Sequence, residues 1–264
     1  MSRVEQAIRA ANADGRAALV IYLPAGYPDL DTSRRCLEAA AGAGADVLEV
    51  GFPYSDPLMD GPTIQVANQT ALDAGLTPAD NFRMCGDLTG AVDIPVLVMT
   101  YYNLAWHYGG ADRLDAFARD ATAAGLAGTI LPDLPAEEGG QWREIAAAHG
   151  LDAVFLAAPS SSDDRLAAVG DIATGFVYAT STMGVTGERQ SLSDAAGPLV
   201  SRLRQATGKP IGVGIGVTTA DHAREVAGFA DAVIVGSAAV RAAGEGGPEA
   251  VAALVAELAE GCRR

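Results

Sequence analysis

Gly212-Val213-Gly214-Ile215-Gly216-Val217-Thr218-Thr219 carries an apolar strand into the start of a helix, and Val235-Gly236-Ser237-Ala238 repeats the step one unit later. Glycine lets backbone approach an anion closely, and a helix N-terminus aims N–H groups at it. The position of these turns decides the fold. An open doubly wound sheet carries its glycine-rich phosphate turn after the first strand. Here the first apolar run ends Leu23-Pro24-Ala25-Gly26, and no G-x-G-x-x-G follows. Phosphate turns after the seventh and eighth strands belong instead to the (β/α)8 barrel. The alternative is that glycine only eases two tight strand-to-helix turns.

Working outward, Val-, Ile- and Leu-rich runs occur at 18–23, 45–51, 94–100, 127–132, 153–157, 175–180, 211–214 and 232–236. None alternates cleanly with polar residues, so each reads as a strand buried on both faces, as in a parallel sheet. Between them, 33–43, 63–73, 111–124, 137–149, 193–205, 219–227 and 249–260 carry apolar residues at helical spacing. Asp31 or Thr32, Thr63 and Thr219 are capping candidates. Residues 1–16 also have helical spacing. The expectation is a TIM barrel with a short N-terminal helix, one domain over residues 1–264.

Of the 264 residues 49% are apolar and 19% charged, which is globular composition, and the net charge is −15. So acidic a chain is a poor partner for nucleic acid or an anionic membrane. It has no apolar run long enough to span a bilayer, and residues 1–16 lack the apolar centre of a signal peptide. Cys36, Cys85 and Cys262 are odd in number and widely spaced, which fits neither a disulfide framework nor a zinc site and suggests a reducing cytoplasm.

A barrel places its active site at the C-terminal strand ends. Glu49 lies there, within Val47-Leu48-Glu49-Val50. Burial of a carboxylate is costly unless it is paired or used. It is either a structural group bonded to a backbone amide or an Arg, or a general acid/base with a raised pKa. The following loop, stiffened by Pro53, Pro57 and Pro62, displays Asp56 and Asp60. Each sits beside a Pro or Gly and has a turn role as its alternative. A second carboxylate facing Glu49 suits a reaction that moves protons at two places. Lys209, the only lysine, precedes strand 7 and so lies at the wrong end for a Schiff base. His107, His149 and His222 make no metal set. Tyr22, Tyr101 and Tyr178 stand at strand ends, as core or as site.

The stretch Leu48-Glu49-Val50-Gly51-Phe52-Pro53-Tyr54-Ser55-Asp56-Pro57-Leu58-Met59-Asp60-Gly61-Pro62-Thr63-Ile64-Gln65 resembles the signature of the tryptophan synthase alpha subunit family. So do Tyr101-Tyr102-Asn103, Leu131-Pro132-Asp133-Leu134-Pro135, Tyr178 with Gly184-Val185-Thr186-Gly187, and the two glycine turns. The likeness runs in order from Leu19 to Ala239. It implies retro-aldol cleavage of indole-3-glycerol phosphate to indole and glyceraldehyde 3-phosphate.

By that resemblance Glu49 shuttles protons to the indole carbon and from the adjacent hydroxyl. Asp60 faces the indole N–H, and Tyr178 packs beside the glutamate. Substrate contacts are expected from Tyr22, Tyr101, Ile130, Thr186, Gly187, Gly214, Ile215, Gly216, Gly236 and Ser237. Pro53, Asp56, Pro57, Asn103 and Pro135 are expected to face a beta subunit in an alpha2beta2 assembly. No cofactor is expected in this chain, since pyridoxal phosphate belongs to that partner. Residues 184–192 are expected to form a lid. Tyr22, Pro24 and Ile215 depart from commoner family choices, which bears on the indole pocket and not on the reaction. Another phosphate-binding barrel, such as a sugar-phosphate isomerase, and a non-catalytic regulatory subunit are the competing readings.

Overall fold

A computed structural model describes residues 1–180, 192–214 and 216–264. Eight strands form a closed parallel barrel in sequence order. They are β1 (Ala18–Pro24), β2 (Val47–Gly51), β3 (Val96–Met99), β4 (Gly128–Ile130), β5 (Asp152–Ala157), β6 (Val177–Thr180), β7 (Ile211–Gly214) and β8 (Ala232–Val235). Pairing of β1 with β8, through Ala18 and Ala232 to Ile21 and Val235, closes the ring.

The helices are α1 (Arg3–Ala13), α2 (Leu30–Gly42), α3 (Pro62–Asp73), α4 (Pro78–Ala91), α5 (Tyr102–His107), α6 (Arg113–Ala123), α7 (Gly140–Ala148), α8 (Asp163–Ile172), α9 (Leu192–Ala206), α10 (Ala220–Ala227) and α11 (Ser237–Gly261). None among the described residues is long and apolar enough to cross a membrane.

The unbroken apolar runs are explained by two destinations. Alternate residues, such as Leu19, Ile21, Leu48, Val50, Val96, Val98 and Phe155, pack against the helices. The other parity, Ala18, Val20, Val47, Leu97, Ile130, Val154, Phe176, Ala232 and Ile234, fills the barrel interior. Both parities leave water, and each buried Val, Leu or Ile contributes roughly 1.5–3 kcal/mol. Val4, Ile8 and Ala11 on one stripe of α1 join the interior set and plug the N-terminal end. Among the described residues the C-terminal end holds the open cavity.

Several elements differ from the sequence expectation. Asp29, not Asp31 or Thr32, caps α2 by accepting from Thr32 N–H. Gly61 precedes α3, whose first turn holds Pro62, so Thr63 caps nothing. Helices α4, α5, α8 and the first half of α11 have weak periodicity. Gly86 and Gly90 dilute α4, although Thr77 and Asp80 form a full capping box at its start. α8 buries only Leu166, Val169 and Gly170. In α11 a kink at Gly247, with φ of 61°, hides the continuity from the pattern.

Two carboxylates at the closed end are paired with arginines. Asp46 takes a two-point contact from Arg16, at 2.6 and 2.8 Å, and accepts from Leu19 N–H. Asp231 takes two bonds of 3.1 Å from Arg204 and accepts from Ile211 N–H. Lys209 lines a groove at this end with Arg9, Arg204 and Asp231, remote from the open mouth.

Candidate active site

At the open end the interior parity continues upward by one more residue per strand. Tyr22 on β1, Glu49 on β2, Met99 on β3, Ile130 on β4, Leu156 on β5, Tyr178 and Thr180 on β6, and Gly214 on β7 line one cavity of about 200 Å³. Ile234 and Gly236 complete the ring, and Met59, Asp60, Ile64 and Pro132 form its rim. Most walls are apolar, and the two carboxyl groups are Glu49 and Asp60.

Glu49 stands directly above Val47 and opposite Tyr22 in the ladder. It is 2% exposed, and its Oε1 has no hydrogen-bond partner among the described residues. Burial alone pushes its carboxyl up to about 8. Among the described residues no Arg or backbone group pairs this oxygen as a structural glutamate requires, and at neutral pH the group holds its proton.

Asp60 is built differently. It ends the loop before α3, and Asn68 on the second turn of that helix donates to its Oδ2 at 3.0 Å. Gln65 donates to its backbone carbonyl at 2.7 Å. Burial is the largest influence and raises its carboxyl, against opposing effects of the nearby Tyr101 hydroxyl and of the Asn68 hydrogen bond. Two buried carboxyls thus face one cavity, Glu49 with no partner for its Oε1 among the described residues and Asp60 held by Asn68.

The tyrosines depend on glycines. A Cβ on Gly214 would lie 2.3 Å from the Tyr178 hydroxyl, and one on Gly51 would lie 2.2 Å from that of Tyr22. Absence of side chains at these positions makes room for the phenol rings. Burial first, then the nearby Glu49, pushes the Tyr178 phenol above its ordinary range. Tyr22 is raised by burial first, then by Asp60 and Glu49. Both therefore stay protonated.

Not every residue singled out in the sequence reaches the cavity. Tyr101 sits behind the rim, where its hydroxyl accepts from Leu58 and Met59 N–H at 3.1 and 2.9 Å. Gly216 is exposed with φ of 69°, and Ser237 begins α11 behind Gly236. No side chain caps that helix. Thr186, Gly187 and Ile215 lie outside the described residues, as does the expected lid apart from Leu192. His107 is exposed, while His149 meets Asp115 at 2.8 Å and His222 meets Thr218 at 3.1 Å.

On the outer face Pro53 is buried, Pro57 and Pro135 are half-buried, and Asp56 and Asn103 are exposed. Asn103 donates to the Tyr54 hydroxyl at 2.6 Å. Sequence reasoning missed Met59, Ile64, Asn68, Met99, Leu156, Thr180 and Ile234. The strand members were within reach of strict alternation counted from Glu49. Nothing local marks Asn68 as a partner of Asp60.

The sequence model of the tryptophan synthase alpha chain family matches residues 8–263. The chain is 49% identical to the tryptophan synthase alpha chain of Mycobacterium avium over 263 residues, covering 100% of this chain and 95% of the relative. It is 50% identical to that of Streptomyces avermitilis over 261 residues, covering 97% and 93%. Among solved structures, tryptophan synthase from M. tuberculosis in an aminoacrylate-bound form superposes with a TM-score of 0.90 at 42% identity, covering 100% of both chains. The alpha chain from Legionella pneumophila superposes with a TM-score of 0.85 at 31% identity, covering 99% and 97%.

Proposed function

The chain belongs to the tryptophan synthase alpha chain family, and from that premise we propose how its cavity performs the family's lyase reaction, the cleavage of indole-3-glycerol phosphate in tryptophan biosynthesis. The observation that carries the reading is Glu49, buried at the open end of the barrel without a partner and raised to about 8. A carboxyl in that state is an acid first. It gives its proton to the indole carbon that bears the side chain, and the ring nitrogen takes up positive charge. Asp60, whose carboxyl accepts a hydrogen bond from Asn68, is the counter-charge facing that N–H.

Glu49, now a carboxylate, removes the proton of the neighbouring side-chain hydroxyl. The O–H electrons form the aldehyde, the carbon–carbon bond breaks, and its electron pair restores the aromatic indole. Glyceraldehyde 3-phosphate departs, and Glu49 ends with the proton it began with. Tyr178 lines the cavity with Glu49 and helps to exclude water from it. Met99, Ile130, Leu156 and Ile234 offer apolar walls to the indole ring, with Tyr22 across from them. The uncapped start of α11 at Gly236 and Ser237, with the turn after Gly214, is the place for the phosphate.

The family's alpha chain carries no cofactor, and pyridoxal phosphate belongs to its beta subunit. The alpha2beta2 assembly, with indole passed to that partner in the cytoplasm, is part of this reading. Leu58, on the loop that bears Asp56 and Pro57, and Val66, on α3 beside Pro57, are 78% and 63% exposed and supply apolar surface for docking. The test is indole release by the purified chain from indole-3-glycerol phosphate. Release that is abolished in Glu49→Gln supports the proposal. Full release by that variant, or none by the wild type, refutes it.

A further inference from the structure

Lys209, the only lysine of the chain, takes no part in the chemistry above, and its surroundings give it another use. It lies on the turn between α9 and β7, at the closed end of the barrel. There it lines a groove of about 390 Å³ with Arg9 and Asn12 from α1, Arg204 near the end of α9, Thr207 just past that helix, and Asp231 before β8. Three cations from three segments thus face one hollow. The chain as a whole has 18 Lys and Arg against 33 Asp and Glu, so this hollow is opposite in sign to the rest of the molecule.

The nearby carboxylates are already used. Asp231 takes two bonds of 3.1 Å from Arg204, and its Oδ2 also accepts from Ile211 N–H at 2.8 Å. Glu5, one turn before Arg9, accepts from Arg9 Nε at 2.9 Å. Neither is left for Lys209, which is half-buried and whose ammonium has no partner among the described residues. Other donors are also unspent. Arg9 gives Nη2 to the Gly208 carbonyl at 2.8 Å and Arg204 gives Nη2 to the Phe229 carbonyl at 3.1 Å. Arg9 Nη1 and Arg204 Nε make no hydrogen bond among the described residues. The Thr207 hydroxyl accepts from Lys209 N–H at 3.3 Å and keeps its own proton to give. One uncompensated positive charge with a set of unspent N–H and O–H donors is the complement of an oxyanion.

We propose that this groove binds a phosphate-type oxyanion, either inorganic phosphate or the phosphoryl group of a small phosphomonoester, with Lys209 as its counter-charge and Arg9 and Thr207 as donors. Donors from separate segments suit the several oxygens of a tetrahedral anion better than the two of a carboxylate. The site lies at the opposite end of the barrel from Gly214 and Gly236, so it does not rest on the phosphate turn of the reaction. An anion held there joins α1 to the α9–β7 turn. Arg9 to Gly208 and Asn12 to the Asp231 carbonyl, each at 2.8 Å, already connect α1 to this region. Because Val4, Ile8 and Ala11 of α1 plug the barrel, occupation stabilises the docked plug, the ligand binding the folded chain alone.

A single lysine makes a one-signal experiment. The full chain, labelled with carbon-13 and nitrogen-15 lysine, is titrated with sodium phosphate and separately with glycerol 2-phosphate, with ionic strength held constant by chloride. The Lys209 side-chain signal should shift and saturate, and the probe with the tighter half-saturation names the source of the anion. In Arg9→Gln the half-saturating concentration should rise about tenfold, as for loss of one hydrogen bond to a charged group. Should Arg9→Gln fail to fold, Thr207→Val is measured in its place. Thermal melting gives a second reading: phosphate should raise the Tm of the wild type, and Lys209→Gln should lose most of that rise.

A Lys209 signal that drifts without saturating, or that chloride moves equally, overturns the proposal. An equal phosphate-dependent rise in Tm in Lys209→Gln also overturns it, since the stabilising anion then sits elsewhere, as at the open mouth. Loss of indole release with saturation at Lys209 intact refutes the lyase reading and leaves this site standing.

Discussion

Asp46 and Glu49 stand three positions apart, one just before β2 and one within it, and meet opposite fates: Asp46 is held by Arg16 at 2.6 Å, while Glu49 Oε1 has no partner among the described residues. The first marks the closed end and the second the open end. A strand that pairs the carboxylate at its lower end and leaves the one near its upper end without a counter-charge gives up stability for a proton donor. This division separates variants that unfold the chain from variants that silence it.

Glu49→Gln preserves shape and removes the acid. Turnover in indole release should fall about a hundredfold or more. Circular dichroism and thermal melting should show an intact fold.

The same variant should alter stability in a pH-dependent way. In the folded chain Glu49 keeps its proton to about 8, while the ordinary value is 4.5. Between these values the unfolded chain binds fewer protons, so wild-type stability falls as pH rises through the window. Glu49→Gln removes that fall. Its stability gain over wild type should be larger at pH 8.5 than at pH 5.5, by on the order of 3 kcal/mol. Urea unfolding of both proteins at the two pH values tests this, and equal gains contradict the buried acid. Wild-type turnover should correspondingly decline as pH rises past the value at which Glu49 loses its proton.

Gly214 and Gly236 should respond differently to alanine. The new Cβ at Gly214 meets the Tyr178 hydroxyl at 2.3 Å, whereas at Gly236 it meets Tyr22 at an ordinary 3.4 Å. Gly214→Ala should displace Tyr178 and lower kcat even if substrate still binds. Pairing it with Tyr178→Phe, which removes the colliding oxygen, should restore part of the rate. Gly236→Ala should leave the fold intact and act through KM. Identical kinetic signatures would show that glycine serves one purpose at both turns.

Lys209 lies at the closed end. Lys209→Arg should keep near-normal turnover, and borohydride with substrate should leave the protein mass unchanged. A trapped adduct on Lys209 contradicts both the placement and the carboxylate mechanism.

The disruption of Arg16→Ala should be structural. It removes the partner of a carboxylate that also accepts from Leu19 N–H. A loss of about 1–3 kcal/mol in unfolding free energy, with kcat unchanged at a temperature where the variant is folded, is the expected pair of results.

Local pattern in the chain was enough for the architecture. Eight apolar runs with no polar alternation require strands covered on both sides, and glycine turns after the last two exclude the open sheet. Glu49 was legible because a carboxylate inside Val47-Leu48-Glu49-Val50 conflicts with its neighbours, and a conflict of that kind is visible without coordinates. Short helices such as α5 and the thin stripe of α8 were not legible, because the tertiary packing that holds them has no local period. The state of each carboxyl needed the closed barrel. Asn68 reaches Asp60 from the second turn of α3, Tyr101 holds the Leu58 and Met59 backbone from beyond β3, and Tyr178 on β6 meets Gly214 only because β6 and β7 pair. Periodicity reports which way a residue faces. Which partners it meets there, and so whether it is neutral or charged, is set when ring closure brings distant strand ends around one small volume.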